Sequence, residues 1–203
     1  AKGNTENYTS YFHSDNVRTR NFNCLTNDLP VELSRPQNTL AGPCRGTMLR
    51  TYRLAVACTG EYAMAVGGGL AGPTHAAMVT SVNRITGVYE VELAIRMILI
   101  SNNNLIEYLD GNTDPYVNTI NTALLNANQL NIDNVIGFSN YDIGHIFTSD
   151  DNGVAQLSSV CGSGKARGAT GAPSLVGDGF DIDFVAHEIG HQFGALHTFN
   201  TNT

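Results

Sequence analysis

The most constraining feature of this chain is residues 187–197, His187-Glu188-Ile189-Gly190-His191-Gln192-Phe193-Gly194-Ala195-Leu196-His197. On an α-helix, positions four apart share a face, so His187 and His191 project together. Two imidazoles one turn apart can hold one Zn2+ at the usual Zn–N distance of ~2.0–2.1 Å. Glu188 falls on the same turn, displaced toward the open coordination side. Gly194 permits the backbone turn that ends a helix, and His197 can then return as a third ligand. Three histidines leave the fourth position for water, the arrangement of a catalytic rather than a structural zinc site. At average residue usage, the short H-E-x-x-H pattern arises by chance in on the order of one in a few hundred chains of this length. Requiring Gly194 and His197 lowers that by roughly three orders of magnitude.

Length and charge bound the rest. A chain of 203 residues is expected to form one domain, with room for an additional segment. Its formal net charge is −7, and its only lysines are Lys2 and Lys165. Nucleic-acid binding needs clustered cations to displace counterions, so this balance argues against it. No apolar run approaches the ~20 residues of a membrane helix; the stretch 94–100 is the nearest and contains Arg96. Cys24, Cys44, Cys58 and Cys161 form no Cys-x-x-Cys pair, which disfavours a cysteine zinc site. Four cysteines allow three pairings, and free thiols are equally compatible with the sequence. An Asn-rich, Lys-poor surface points to a secreted protein.

Residues 1–46, punctuated by Pro30, Pro36 and Pro43, read as an extended N-terminal segment. From residue 47 the patterns sharpen. Residues 47–58 alternate as a strand. Thr74 is expected to cap a helix carrying Met78, Val79, Val82 and Ile85 at helical spacing. Residues 91–100 are β-branched and apolar, which predicts a buried strand, with 104–109 as a short returning one. Pro115 suits the first position of a second long helix ending near Leu130. Residues 143–148 and 154–160 predict two short strands, and a Gly-rich stretch spans 162–179. Asp181 or Asp183 could cap the last helix, which bears Phe184, Val185, Ile189 and Phe193. Strands alternating with helices predict an α/β or α+β sandwich with a mostly parallel sheet, the long helices serving as crossovers.

The motif at 187–197 resembles that of the metzincin zinc peptidases. Tyr141-Asp-Ile-Gly-His-Ile-Phe-Thr148 and Gly153-Val-Ala-Gln-Leu-Ser-Ser-Val-Cys161 are similar to the strand pair before the active-site helix in reprolysin-like (adamalysin-related) enzymes. Leu54-Ala-Val-Ala-Cys-Thr-Gly-Glu-Tyr62 resembles the opening strand of bacterial members. Thr198 and Phe199 depart from the usual reprolysin pattern, which has Asp after the third histidine, and are similar to the pappalysin branch. The resemblance implies a metzincin-like catalytic domain over 47–203. Its expected fold is a twisted, mostly parallel sheet with one antiparallel edge strand, two long helices and an active-site helix. The family's methionine turn follows the third histidine. None of Met48, Met64, Met78 and Met97 does, so the resemblance implies a C-terminal subdomain largely missing from 47–203.

The function expected is that of a monomeric, secreted zinc endopeptidase acting on peptides or proteins. One Zn2+ held by His187, His191 and His197 would activate water, with Glu188 as general base. Asp150 and Asp151, or Asp181 and Asp183, could bind Ca2+, but it is not indicated, because no calcium-loop spacing is present and turn and capping roles suit them better. The resemblance further implies that Gly153, Val154, Ala155, Gln156 and Leu157 pair with extended substrate backbone. In many metzincins a pro-segment cysteine fills the open zinc position; residues 1–46 could be the remnant of such a segment, with Cys24 as the latency thiolate. The competing reading of Cys24 is a disulfide with Cys44 or another cysteine. The competing reading of the chain is a latent or non-catalytic zinc-binding fragment. His145, on an apolar strand, reads as a structural histidine, and His13 and His75 as surface residues.

Overall fold

The computed structural model describes residues 22–27 and 48–197. Six strands form one sheet in the order β1-β5-β6-β4-β2-β3. They are β1 (Asn23–Cys24), β2 (Arg50–Cys58), β3 (Ile95–Leu99), β4 (Ile143–Phe147), β5 (Asn152–Ala155) and β6 (Gly168–Thr170). All neighbouring pairs are parallel except β5 with β6. The expected mixed sheet is thus observed, with a difference at its rim. The antiparallel strand β5 is not outermost, because β1 pairs along it.

Helices cover both faces. Along β2, Leu54, Val56 and Cys58 point to one side and Ala55 and Ala57 to the other, as strand periodicity requires. The first side packs on α1 (Gly60–Gly67), α2 (Ala71–Leu93) and the helical stretch that carries the histidine motif, through Tyr62, Met78, Ile85 and Ile189. The second packs on α3 (Thr122–Val135) through Leu124, Leu125 and Ile132. Right-handed parallel crossovers demand helices of this kind between strands.

Several elements depart from the sequence expectations. Helix α1, capped by the Thr59 hydroxyl, stands in the stretch before the anticipated Gly-rich loop. Helix α2 starts at Ala71, not at Thr74. Pro73 sits in its first turn, where a missing N–H costs nothing, and the Thr74 hydroxyl donates to Ala63 O in α1. Helix α2 runs on through Leu93, so only Ile95–Leu99 of the anticipated strand is a strand. Residues 103–106 are a 3-10 turn instead of a strand, fixed by Asn103, whose buried amide bonds both Val56 N and Val56 O at 2.8 Å. Helix α3 begins late, capped by Asn121, because Asp114 accepts from Gly60 N and Tyr116 N in a wrapping turn. Strand β5 ends at Ala155, short of the expected 160, and β6 lies inside the Gly-rich stretch.

Candidate metal centre

The motif lies on a stretch made of α4 (Asp178–Phe180), a π-helical turn (Asp181–Val185) and α5 (Ala186–Gln192). Asp181 does not cap this stretch. It is buried and accepts from Ser81 Oγ at 2.6 Å, which ties the π-turn to α2. The Tyr89 hydroxyl of α2 donates to Ala186 O at 2.7 Å. A π-turn widens the helix locally and is frequent at functional sites; here it directly precedes His187.

Helix α5 stops at Gly194, whose φ of +100° belongs to a region that favours glycine. Gly194 N donates to His191 O and Ala195 N to Gly190 O. The reversed chain brings His197 back over the helix, where it is 8 % exposed. Ring centroids lie 4.6 Å apart for His187 and His191, 4.5 Å for His191 and His197, and 5.2 Å for His187 and His197. His191 Nδ1 is bonded to Ala195 O at 2.7 Å, which fixes the ring and turns Nε2 inward.

The fourth group is Cys24. Its Sγ lies 3.5 Å from His191 Nε2. One donor atom from each of Cys24, His187, His191 and His197 lies within 4.8 Å of every other. This donor set fits zinc, which takes Cys and His in four-coordinate sites. The chemistry of the cluster also calls for a cation. His187 Nε2 and His191 Nε2 face each other at 3.1 Å, and two imidazole lone pairs repel unless a proton or a metal lies between them. Without a cation, burial and the charge of Glu188 push the Cys24 thiol up to about 12; a metal deprotonates such a thiol outright. Among the described residues Cys24, Cys58 and Cys161 are free thiols, so no disulfide joins Cys24 to Cys58 or Cys161. Cys44, Thr198 and Phe199 lie outside the described residues.

Glu188 is fully buried beside the histidines. Its Oε2 accepts from Thr26 Oγ1 at 3.2 Å, and its Oε1 has no hydrogen-bond partner. Burial pushes its carboxyl up to about 7, partly offset by the Cys24 thiol and the Thr26 hydroxyl. Strand β5 passes close by. A Cβ at Gly153 would collide with Glu188 Oε1 and with the Phe22 ring, so this position of β5 needs glycine.

Residues 22–27 lie along β5. Asn23 and Cys24 pair in parallel with Asn152 and Gly153, and Leu25 N donates to Gly153 O at 2.7 Å. Phe22 stacks on Phe184 of the π-turn with centroids 3.9 Å apart. Of the expected substrate-pairing residues, Gly153, Val154 and Ala155 are in β5, whereas Gln156 and Leu157 follow it. His145 is structural, as expected: it is fully buried and bonded to Gln192 and Thr170, away from the cluster. His75 is half exposed and pairs with Glu107. Thr26 and Phe22 escaped the sequence reading. A signal for Thr26 was present, because residues two apart in an extended segment face the same side, which places Thr26 beside any site that Cys24 reaches.

A family model described as metallo-peptidase family M12B, reprolysin-like, matches residues 48–203. No curated protein matches the chain.

Proposed function

The chain belongs to the reprolysin-like M12B metallopeptidases, a zinc-dependent peptidase family, and on that premise we propose that it is an endopeptidase held latent by its own residues 22–27. The observation that carries this reading is the meeting of Cys24 with His187, His191 and His197 within 4.8 Å.

In this reading the three histidines hold one zinc ion. When bound, zinc supplies Lewis acidity, drawing the pKa of water toward ~7 and polarising a peptide carbonyl. Glu188 acts as general base: a carboxylate oxygen takes the proton of the attacking water and returns it to the amine nitrogen as the C–N bond breaks. No serine or cysteine nucleophile takes part, so no acyl-enzyme forms. Extended substrate pairs with the backbone of Gly153, Val154 and Ala155 and continues past Gln156 and Leu157, with hydrogen bonds giving affinity.

Residues 22–27 occupy that same edge, so substrate and segment exclude each other. Cys24 would take the open metal position, the role of a latency thiolate, and its nearness to all three histidines supports the zymogen over a non-catalytic zinc-binding chain. Secretion accords with such a zymogen. Among the described residues no helix is long and apolar enough to cross a membrane.

The test has two parts. Elemental analysis should find near-stoichiometric zinc in the wild type and a sharp fall in His197→Ala. Peptide hydrolysis should then rise in Cys24→Ala over the wild type and vanish in Cys24→Ala/Glu188→Ala. Zinc without hydrolysis in Cys24→Ala would leave a non-catalytic metal-binding chain instead.

A further inference from the structure

We infer that Thr26 is a second anchor of the inhibitory segment, one that engages the base as Cys24 engages the metal site. The inference rests on the latency reading above and adds a residue to it. Cys24 and Thr26 are two apart in an extended segment, so both face the site, while Leu25 between them faces outward and is 45 % exposed. The Thr26 hydroxyl meets three partners at once. It accepts from Ala155 N at 2.8 Å, and it lies 3.3 Å from Ala155 O and 3.2 Å from Glu188 Oε2. A hydroxyl has one hydrogen to give. Of its two acceptors Glu188 Oε2 is the nearer, at 3.2 Å against 3.3 Å for Ala155 O, and to an ionised carboxylate the charge-assisted bond is the stronger. The residue is 8 % exposed, so water does not compete for it.

Thr26 therefore occupies two things a substrate needs. It covers the N–H and C=O of Ala155, and it engages the carboxylate that would take the water's proton. Among the described residues, the segment is otherwise held by the Phe22–Phe184 stack, the bond from Leu25 N to Gly153 O and the pairing of β1 with β5. Strand β1 has two residues, and so short a strand has little stability of its own. Cys24 and Thr26 sit two residues apart in this short segment, so loss of the Thr26 hydroxyl should loosen Cys24 as well.

The test reads the thiol, not turnover. The zinc-loaded full chain is treated with iodoacetamide, and alkylation of Cys24 is followed by peptide mass spectrometry, with exposed Cys161 as internal reference. Thr26→Val keeps the branched shape and removes the hydroxyl; Cys24 should then alkylate about tenfold faster, the factor expected for one hydrogen bond to a charged group. Thr26→Ser should restore the wild-type rate. In a Glu188→Ala background, the acceleration caused by Thr26→Val should shrink to about threefold or less. An unchanged rate in Thr26→Val, or a rate in Thr26→Ser as high as in Thr26→Val, overturns the inference. A full tenfold effect in the Glu188→Ala background overturns the link to the base. Failure of the latency reading is separately visible: Cys24 of the wild type would alkylate as fast as Cys161 before any variant is made.

Discussion

The imidazole of His145 in β4 and the side-chain amide of Gln192 at the end of α5 are hydrogen-bonded at 2.8 Å in the buried interior. Gln192 spends its amide hydrogens on Gly144 O and Lys165 O. Its Oε1 must therefore accept from His145 Nδ1–H, and His145 Nε2 accepts from the Thr170 hydroxyl. The network itself assigns a neutral tautomer, and it fastens the histidine-bearing helix to the sheet.

This pair sets a pH dependence of stability. Burial pulls the His145 pKa down to about 4, with the Gln192 bond opposing weakly. The unfolded chain, with an ordinary His pKa near ~6.5, binds the proton more readily. Stability from this residue is complete above about pH 6.5 and is lost as pH falls toward 4, by up to about 3 kcal/mol. Urea titrations at pH 7 and pH 4.5 should show this slope, flattened in His145→Gln. Parallel slopes in the two proteins would refute it.

Glu188→Gln, made in a Cys24→Ala background, should cut peptide hydrolysis by about 10²- to 10⁴-fold, the usual worth of a general base. Zinc content measured on the same samples should stay at the parent's value. Activity within a few-fold of the parent would remove Glu188 from the chemistry.

Tyr89→Phe removes the hydroxyl that bonds Ala186 O and leaves the ring packed near Phe193. A part-buried carbonyl at the first residue of α5 then loses its side-chain partner, at a cost of about 1 kcal/mol. The midpoint of urea denaturation should fall accordingly, with the slope of the transition unchanged.

Gly194→Ala should damage the metal site through the backbone. Its φ of +100° strains any L side chain, and the new Cβ would stand 2.7 Å from Ser158 Oγ; about 1–3 kcal/mol is expected. Because this turn returns His197, zinc should be lost to a chelator at lower concentration than in the wild type. Gly72→Ala, where a Cβ meets nothing within 4 Å, is the matching control and should retain zinc normally.

Legibility from sequence followed the range of the interactions involved. The helix at 187–192 and its glycine stop were readable because the information is local: a four-residue period, then a residue suited to positive φ. Strands β2 and β4 were readable from alternation and apolar content. Content misled at residues 91–93, where Val91 and Leu93 look like strand but stand exposed at the end of α2. The late start of α3 was hidden because Asp114 is recruited by Gly60, 54 residues away. Strand β1 exists through β5 alone, and Thr26 is bonded to a residue 129 positions on. Cys24 could be nominated as a latency thiolate from the family resemblance; its place beside His191, and the companion role of Thr26, needed the fold.

Under the proposed latency, the parallel pairing of β1 on β5 also bears on solubility, because departure of the segment would bare β5. A bared strand is a template for pairing with other molecules, and proteins guard such edges by keeping them short, interrupted or charged. Strand β5 has four residues, carries a glycine at its second position, and follows directly on Asp150 and Asp151. In the proposed latency reading, the rim that departure of residues 22–27 would uncover is thus long enough to grip one peptide and too brief and too acidic at its start to seed a stack of its own kind.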